Sequence, residues 1–179
     1  KGREAPCLFP SPCGCWPPPA SCRRMKPPLH IVLYQPEIPP NTGNIARLCA
    51  CTGCRLHLVH PLGFEVNDRQ LRRAGLDYWP HVDVLHHESW EALRAALSTA
   101  ERWFALSPRA SRSIWQTEFA AGDVLVFGSE TRGLPENIRT RLPTLKIPIR
   151  NDAPVRSLNL ASACAVTAYE ALRQIKSQS

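Results

Sequence analysis

Val124-Leu-Val-Phe-Gly-Ser-Glu-Thr-Arg-Gly133 joins four consecutive apolar residues to a turn that opens and closes on glycine. A short unbroken apolar run ended by glycine reads as a strand covered on both faces, the kind found in parallel sheets. Gly128 then falls where the chain leaves the sheet. There it either serves as a plain turn residue or brings bare backbone against a ligand. Open α/β sheets bind ligands at this end of their strands.

Strand and helix patterns alternate on both sides of this stretch. Leu29 to Tyr34 reads as a first strand, ended by Pro36, Pro39 and Pro40, which cannot donate to a ladder. Asn41 is a good cap for a following helix, whose Ile45, Leu48, Cys49 and Thr52 form one stripe before Gly53 stops it. Arg55 to His60 is a second strand, Asn67 to Ala74 a short basic helix, and Val82 to Leu85 a brief strand. Glu88 to Thr99 is a helix with Trp90, Leu93 and Leu97 on one side. Trp103 to Leu106, Val124 to Phe127 and Leu145 to Ile149 complete the strands. Leu158 to Ile175 is a final helix with Leu158, Ala161, Ala165, Ala168, Tyr169 and Leu172 in register. This alternation predicts an α/β fold, a mainly parallel sheet with helices on both faces.

A chain of 179 residues suits one domain with enough interior to fold without staples. Its apolar runs are short and interrupted, which predicts a soluble protein. Residues 1–24 differ from the rest: proline-rich, aperiodic, and holding Cys7, Cys13, Cys15 and Cys22. They are expected to be a disordered extension, and Met25, the one methionine, is read as the initiator of a domain spanning 25–179. Cys13-Gly-Cys15 is too tight for a common zinc knuckle, so no metal is expected. Cys49, Cys51, Cys54 and Cys164 are expected to be small core residues of a cytoplasmic protein. The formal charge is +7, of which the extension supplies +3, and the remaining excess fits a polyanionic partner such as RNA.

The familiar nucleotide and metal signatures are missing. Gly128 to Gly133 has the wrong spacing and position for a dinucleotide fingerprint, and neither Gly-Lys-Ser/Thr nor His-Glu-x-x-His occurs. Hydride transfer, triphosphate hydrolysis and zinc hydrolysis lose ground accordingly. What remains is a pocket of backbone turns: after Leu106, at Gly128, around Ile147 to Ile149, and at Ser157 to Asn159. Such turns can recognise an adenine edge while apolar side chains cover its faces.

Tyr34-Gln-Pro-Glu-Ile-Pro-Pro-Asn-Thr-Gly-Asn-Ile-Ala-Arg47, Leu71-Arg-Arg-Ala-Gly-Leu-Asp-Tyr78, Phe127-Gly-Ser-Glu-Thr-Arg-Gly-Leu134 and Ser157-Leu-Asn-Leu160 together resemble the SPOUT RNA methyltransferases. More narrowly they resemble the small bacterial tRNA 2′-O-methyltransferases that modify the wobble nucleotide, position 34, of leucine tRNAs. The similarity covers about residues 29 to 175. Ser129 stands where the family often has proline, which should loosen the turn slightly. The resemblance implies a deep C-terminal trefoil knot, S-adenosylmethionine held in the knot loops, and a homodimer acting on the tRNA anticodon loop. Leu106, Gly128, Ile147 and Ser157 would contact the cofactor, with Ile149 and Asn159 close by.

Arg47 is the catalytic candidate. A guanidinium fork can hold a ribose and its phosphate bidentately, and its high pKa argues for positioning rather than proton abstraction. Asn41 is a candidate on the substrate side. Arg69, Arg72 and Arg73, beside Tyr78 and Trp79, suit phosphate contacts with base stacking. Arg132 either approaches RNA or pairs with Glu130 or Asp152. The rivals are methylation of another tRNA or rRNA nucleotide and a non-catalytic RNA-binding module.

Overall fold

A computed structural model of the chain describes residues 27–64, 82–100 and 102–177. Within them seven strands form one sheet: β1 (Leu29–Tyr34), β2 (Arg55–Val59), β3 (Val84–His87), β4 (Trp103–Leu106), β5 (Arg112–Ser113), β6 (Asp123–Phe127) and β7 (Thr144–Lys146). The order is β3-β2-β1-β6-β4-β7-β5, and every pairing is parallel. The helices are α1 (Pro39–Thr52), α2 (Trp90–Ala96), α3 (Glu136–Arg139) and α4 (Leu160–Ser177).

Strand β6 lies at the centre and all five of its residues are buried, as its apolar run predicts. Alternation along the strands divides the interior in two. Ile31, Leu33, Leu56, Leu58, Leu125 and Phe127 pack with Ile45 and Cys49 of α1 and Cys164, Ala168 and Leu172 of α4. On the other face Val32, Val59, Val124 and Val126 pack with Leu93 of α2 and Ile138 of α3. Helices therefore cover both faces, and because all strands run one way, their carboxyl ends share one edge.

Several boundaries differ from the sequence expectation. Helix α1 starts three residues early, with Ile38 as the cap and both prolines in its first turn, where an absent N–H is no loss. Asn41 is therefore not the cap but a buried residue inside the helix. Strand β3 lies two residues later than expected, because its register on β2 runs from Leu56↔Val84 to Val59↔His87. Ser89 caps α2 by accepting from the Ala92 N–H at 3.1 Å, so that helix starts at Trp90. Strand β7 stops at Lys146, just before a segment in which Pro148 could not donate to a ladder, and Ile147 and Ile149 lie in a loop. Strand β5 and helix α3, of two and four residues, are too short to carry a period.

In α4 the buried stripe is Cys164, Thr167, Ala168, Ala171, Leu172 and Ile175, whereas Tyr169 is 58 % exposed. The expected stripe was rotated because alanines populate several faces equally. Cys49, Cys54 and Cys164 are buried as expected, but Cys51 is exposed. Burial pushes the Cys54 thiol up to about 11 and raises Cys49 and Cys164 as well, so all three are protonated core residues.

Candidate active site at the carboxyl edge of the sheet

The loops after β1, β4, β6 and β7 and the start of α4 all emerge at the same edge, and one chain of hydrogen bonds joins three of them. The Glu130 carboxylate, in the turn after β6, accepts from the Glu37 N–H at 2.8 Å, the Ile38 N–H at 3.3 Å and Asn41 Nδ2 at 2.9 Å. It thus supplies an anion to the amino terminus of α1, whose own cap has no side-chain hydrogen bond and whose first two residues are prolines. Asn41 Oδ1 then accepts from Asn159 Nδ2 at 2.9 Å, and Asn159 Oδ1 accepts from the Ala161 N–H at 2.9 Å at the start of α4. Thr131 Oγ1 donates to Glu37 Oε2 at 2.6 Å and closes the arrangement from the other side. Three blocks separated by up to 118 residues become one hydrogen-bonded body.

The turn itself is closed on its own backbone. Gly133 donates to the Ser129 carbonyl at 2.9 Å and has φ 69°, while the Arg132 N–H reaches Ser129 Oγ at 3.3 Å. A Cβ on Gly128 would lie 2.1 Å from the Gly133 carbonyl carbon and 2.2 Å from the Leu134 nitrogen. Glycine is thus required at 128 by the returning arm of its own loop. Leu106 and Ile147 are half-buried and pack against the core.

The chain matches the model of the SpoU rRNA Methylase family over residues 28–169. It belongs to the SpoU methylase family. A relative from Methylovorus glucosotrophus named tRNA (cytidine(34)-2′-O)-methyltransferase is 56 % identical over 145 residues, covering 80 % of this chain and 94 % of that one. A solved structure concerned with the 2-OH methylation of C/U34 on tRNA is 55 % identical, with TM-score 0.78, covering 83 % of this chain and 97 % of the other. AviRb from Streptomyces viridochromogenes, solved with AdoMet, shares the fold at 22 % identity and TM-score 0.71, over 84 % of this chain and 58 % of that one.

Within this SpoU chain the structure brings together Leu106, Gly128, Ile147, Ile149, Asn41 and Asn159 at the carboxyl edge. Ser157 is exposed in the loop entering α4, and Ile149 is half-buried. Arg47 is exposed on α1, less than two turns beyond Asn41. Arg132 is also exposed. It forms no ion pair with either expected acidic partner among the described residues: Glu130 serves α1 and Asp152 pairs with Arg150 at 2.8 Å. Arg69, Arg72, Arg73, Tyr78 and Trp79 lie outside the described residues. Glu37 and Thr131 are the residues that sequence reasoning passed over, and Glu130 entered it only as a partner for Arg132, although all three sit inside quoted blocks. The signal was a carboxylate in a turn opposite a helix start whose first positions are prolines.

A second polar cluster sits within the sheet. His30 Nδ1 and His57 Nε2 lie 2.9 Å apart, as do His57 Nδ1 and His87 Nε2, forming a ladder across β1, β2 and β3. Burial, with the neighbouring His30, His87 and Arg55 adding to it, holds His57 down at about 3. Burial and Arg55 hold His30 at about 4 against the opposing pull of Asp83. These rings are neutral at ordinary pH, so each can donate once and accept once, as a ladder requires. Among the described residues no group of three His, Cys, Asp or Glu side chains could hold a metal ion, and no helix is long and apolar enough to cross a membrane.

Proposed function

We propose that the protein methylates the ribose 2′-hydroxyl of the wobble nucleotide, position 34, of tRNA, using S-adenosylmethionine. The observation that carries this reading is the Glu130–Asn41–Asn159 chain. It unites the loop after β6, the start of α1 and the start of α4 into one rigid rim. High similarity to a relative named for 2′-O-methylation of cytidine 34 supports the same reading.

The residues present suit such a cofactor. Leu106, Ile147 and Ile149 are apolar side chains left half-covered where their strands end, able to enclose an adenine. Gly128 and its turn offer backbone groups for the base edge, and Ser157 and Asn159 supply polar groups nearby. When bound, the cofactor provides an electrophilic sulfonium methyl. The protein's own part is orientation. Asn41 is buried and held at both ends of its amide, fixing the rim. Arg47, on the exposed side of the same helix, holds the target ribose and its phosphate. Arginine stays protonated at working pH, so the hydroxyl proton passes to a phosphate or to water. Arg69, Arg72, Arg73 and Arg132 attract the anticodon loop by charge.

The domain spans residues 25–179 and works in the cytoplasm, where its tRNA is. Two copies pair through the exposed apolar residues Val155, Leu158, Val166 and Tyr169 at and before α4. The C-terminal segment passes through a trefoil knot, a reading supported by the bond from Asn159 at the start of α4 to Asn41, 118 residues earlier. Leucine isoacceptors are the preferred substrates.

The test is transfer of labelled methyl from the cofactor to unmodified tRNA transcripts, one isoacceptor at a time, by wild type and by Arg47→Ala. Wild type labels leucine tRNAs, whereas Arg47→Ala binds the cofactor normally and is at least about 100-fold slower. Full turnover by the variant removes Arg47 from the reaction. Labelling of another tRNA or of rRNA instead favours the nearest enzymatic rival, and tight RNA binding without any transfer favours a binding module.

A further inference from the structure

Trp115 is 65 % exposed, the largest value among the exposed large apolar side chains of the described residues. Its backbone is nevertheless fixed. Ser113 Oγ accepts from the Trp115 N–H at 3.0 Å, the Ser113 N–H donates to Gln116 Oε1 at 3.0 Å, and Thr117 Oγ1 donates to the Ser113 carbonyl at 3.0 Å. The preceding Ile114 is fully buried in the core. Gln174 of α4 secures the far end, donating to the Thr117 carbonyl at 3.0 Å and accepting from the Phe119 N–H at 2.8 Å. An indole exposed to water on a fixed backbone contributes little to folding and is well placed to receive a flat partner.

Position and charge say which partner. Strand β5 pairs parallel to β7 and β7 to β4, so the turn carrying Trp115 leaves the sheet at the edge that also carries Leu106, Gly128 and Ile147. The exposed Arg112 guanidinium lies along the same turn, donating to the Gln116 carbonyl through Nε at 3.2 Å and Nη2 at 2.9 Å. Arg109 is exposed three residues earlier, within the Ser107–Ala110 turn. Ser111 and Gln116, on either side, are polar and exposed. A second copy of this chain would bring like charge to the same spot, whereas a polyanion with exposed bases matches both the ring and the arginines.

We propose that Trp115, flanked by Arg112 and Arg109, is a stacking platform for an unpaired base of the RNA whose nucleotide is methylated. This rests on the RNA 2′-O-methyltransferase reading above and adds a substrate contact that the sequence blocks do not contain. Binding of unmodified tRNA by the full-length protein, read by fluorescence anisotropy, tests it apart from turnover. Trp115→Ala weakens tRNA binding roughly ten-fold and raises the KM for tRNA by a similar factor, with the effect on KM rather than kcat. Trp115→Phe, which keeps a ring, recovers most of the affinity. Arg112→Ala weakens binding less and flattens its dependence on salt. Calorimetry with S-adenosylmethionine gives the wild-type affinity for each variant, and sedimentation gives the wild-type oligomeric state.

Unchanged tRNA affinity in Trp115→Ala overturns the proposal. So does a loss that accompanies altered self-association, which would make Trp115 a contact between copies. A wild-type protein that transfers no methyl, yet binds tRNA in a Trp115-dependent way, refutes the catalytic reading while leaving the platform in place.

Discussion

The histidine ladder across β1, β2 and β3 and the Glu130 chain at the carboxyl edge are both hydrogen-bonded clusters on the same sheet, yet their chemistry differs throughout. The ladder is made of neutral rings sealed between strands, His57 being fully buried. The Glu130 chain is built around a carboxylate, joins loops rather than strands, and ends beside residues left half-covered. A neutral, closed network can only hold strands together. A charged one at the mouth of the loops can also set the shape of a site, because the residues beside it are left half-covered. Stability and activity should therefore separate cleanly between the two clusters.

The largest effect is expected from Gly128→Ala. The added methyl meets backbone at 2.1 Å, which no side-chain movement relieves, so the turn must open. Cofactor affinity measured by calorimetry falls at least about 100-fold, equivalent to about 2.7 kcal/mol, while circular dichroism retains the α/β signature. Wild-type affinity in that variant would mean that the turn does not shape the pocket. Glu130→Ala comes next. It removes an acceptor shared by three donors and should lower kcat/KM roughly ten-fold and stability by about 1–3 kcal/mol in a denaturant titration. Loss of stability alone would make Glu130 no different in kind from the ladder.

His57→Ala strips both outer histidines of their partner and should cost about 1–3 kcal/mol of stability, with kcat/KM for tRNA unchanged at neutral pH. The wild-type ladder also has a pH signature. His30 and His57 are lowered in the folded protein relative to an unfolded histidine near 6.5, so the unfolded chain binds the extra protons. Stability is full above about 6.5 and declines as pH falls toward 4, by up to about 1.4 kcal/mol per pH unit for each histidine. Urea midpoints measured between pH 7 and 4 give this slope, and His57→Ala should flatten it. The smallest effect belongs to Thr42→Val. Thr42 Oγ1 is buried and has no hydrogen-bond partner among the described residues, so replacing the hydroxyl with a methyl should change stability by less than about 1 kcal/mol, toward stabilisation, in the same titration.

The two clusters were unequally legible from sequence. The parallel α/β architecture followed from apolar runs such as Val124 to Phe127, because two-sided burial leaves an unmistakable mark on composition. The regions of the candidate site were visible too, since Gly128, Asn41 and Asn159 lie in compact blocks. Their connection was not. Asn41 looked like a helix cap because capping is local, whereas its actual partners, Glu130 and Asn159, are distant in the chain. The histidines of β1, β2 and β3 gave no hint of a ladder, because diagonal pairing across parallel strands depends on register. The rotated stripe of α4 has the same origin: alanine fits any face, and only packing decides which one is inside.

Nucleoside mapping of leucine tRNA after incubation with methyl-labelled S-adenosylmethionine tests the central claim most directly. The account predicts label on the ribose 2′-oxygen of nucleotide 34. Label on a base, or on the ribose of a different nucleotide, would contradict it.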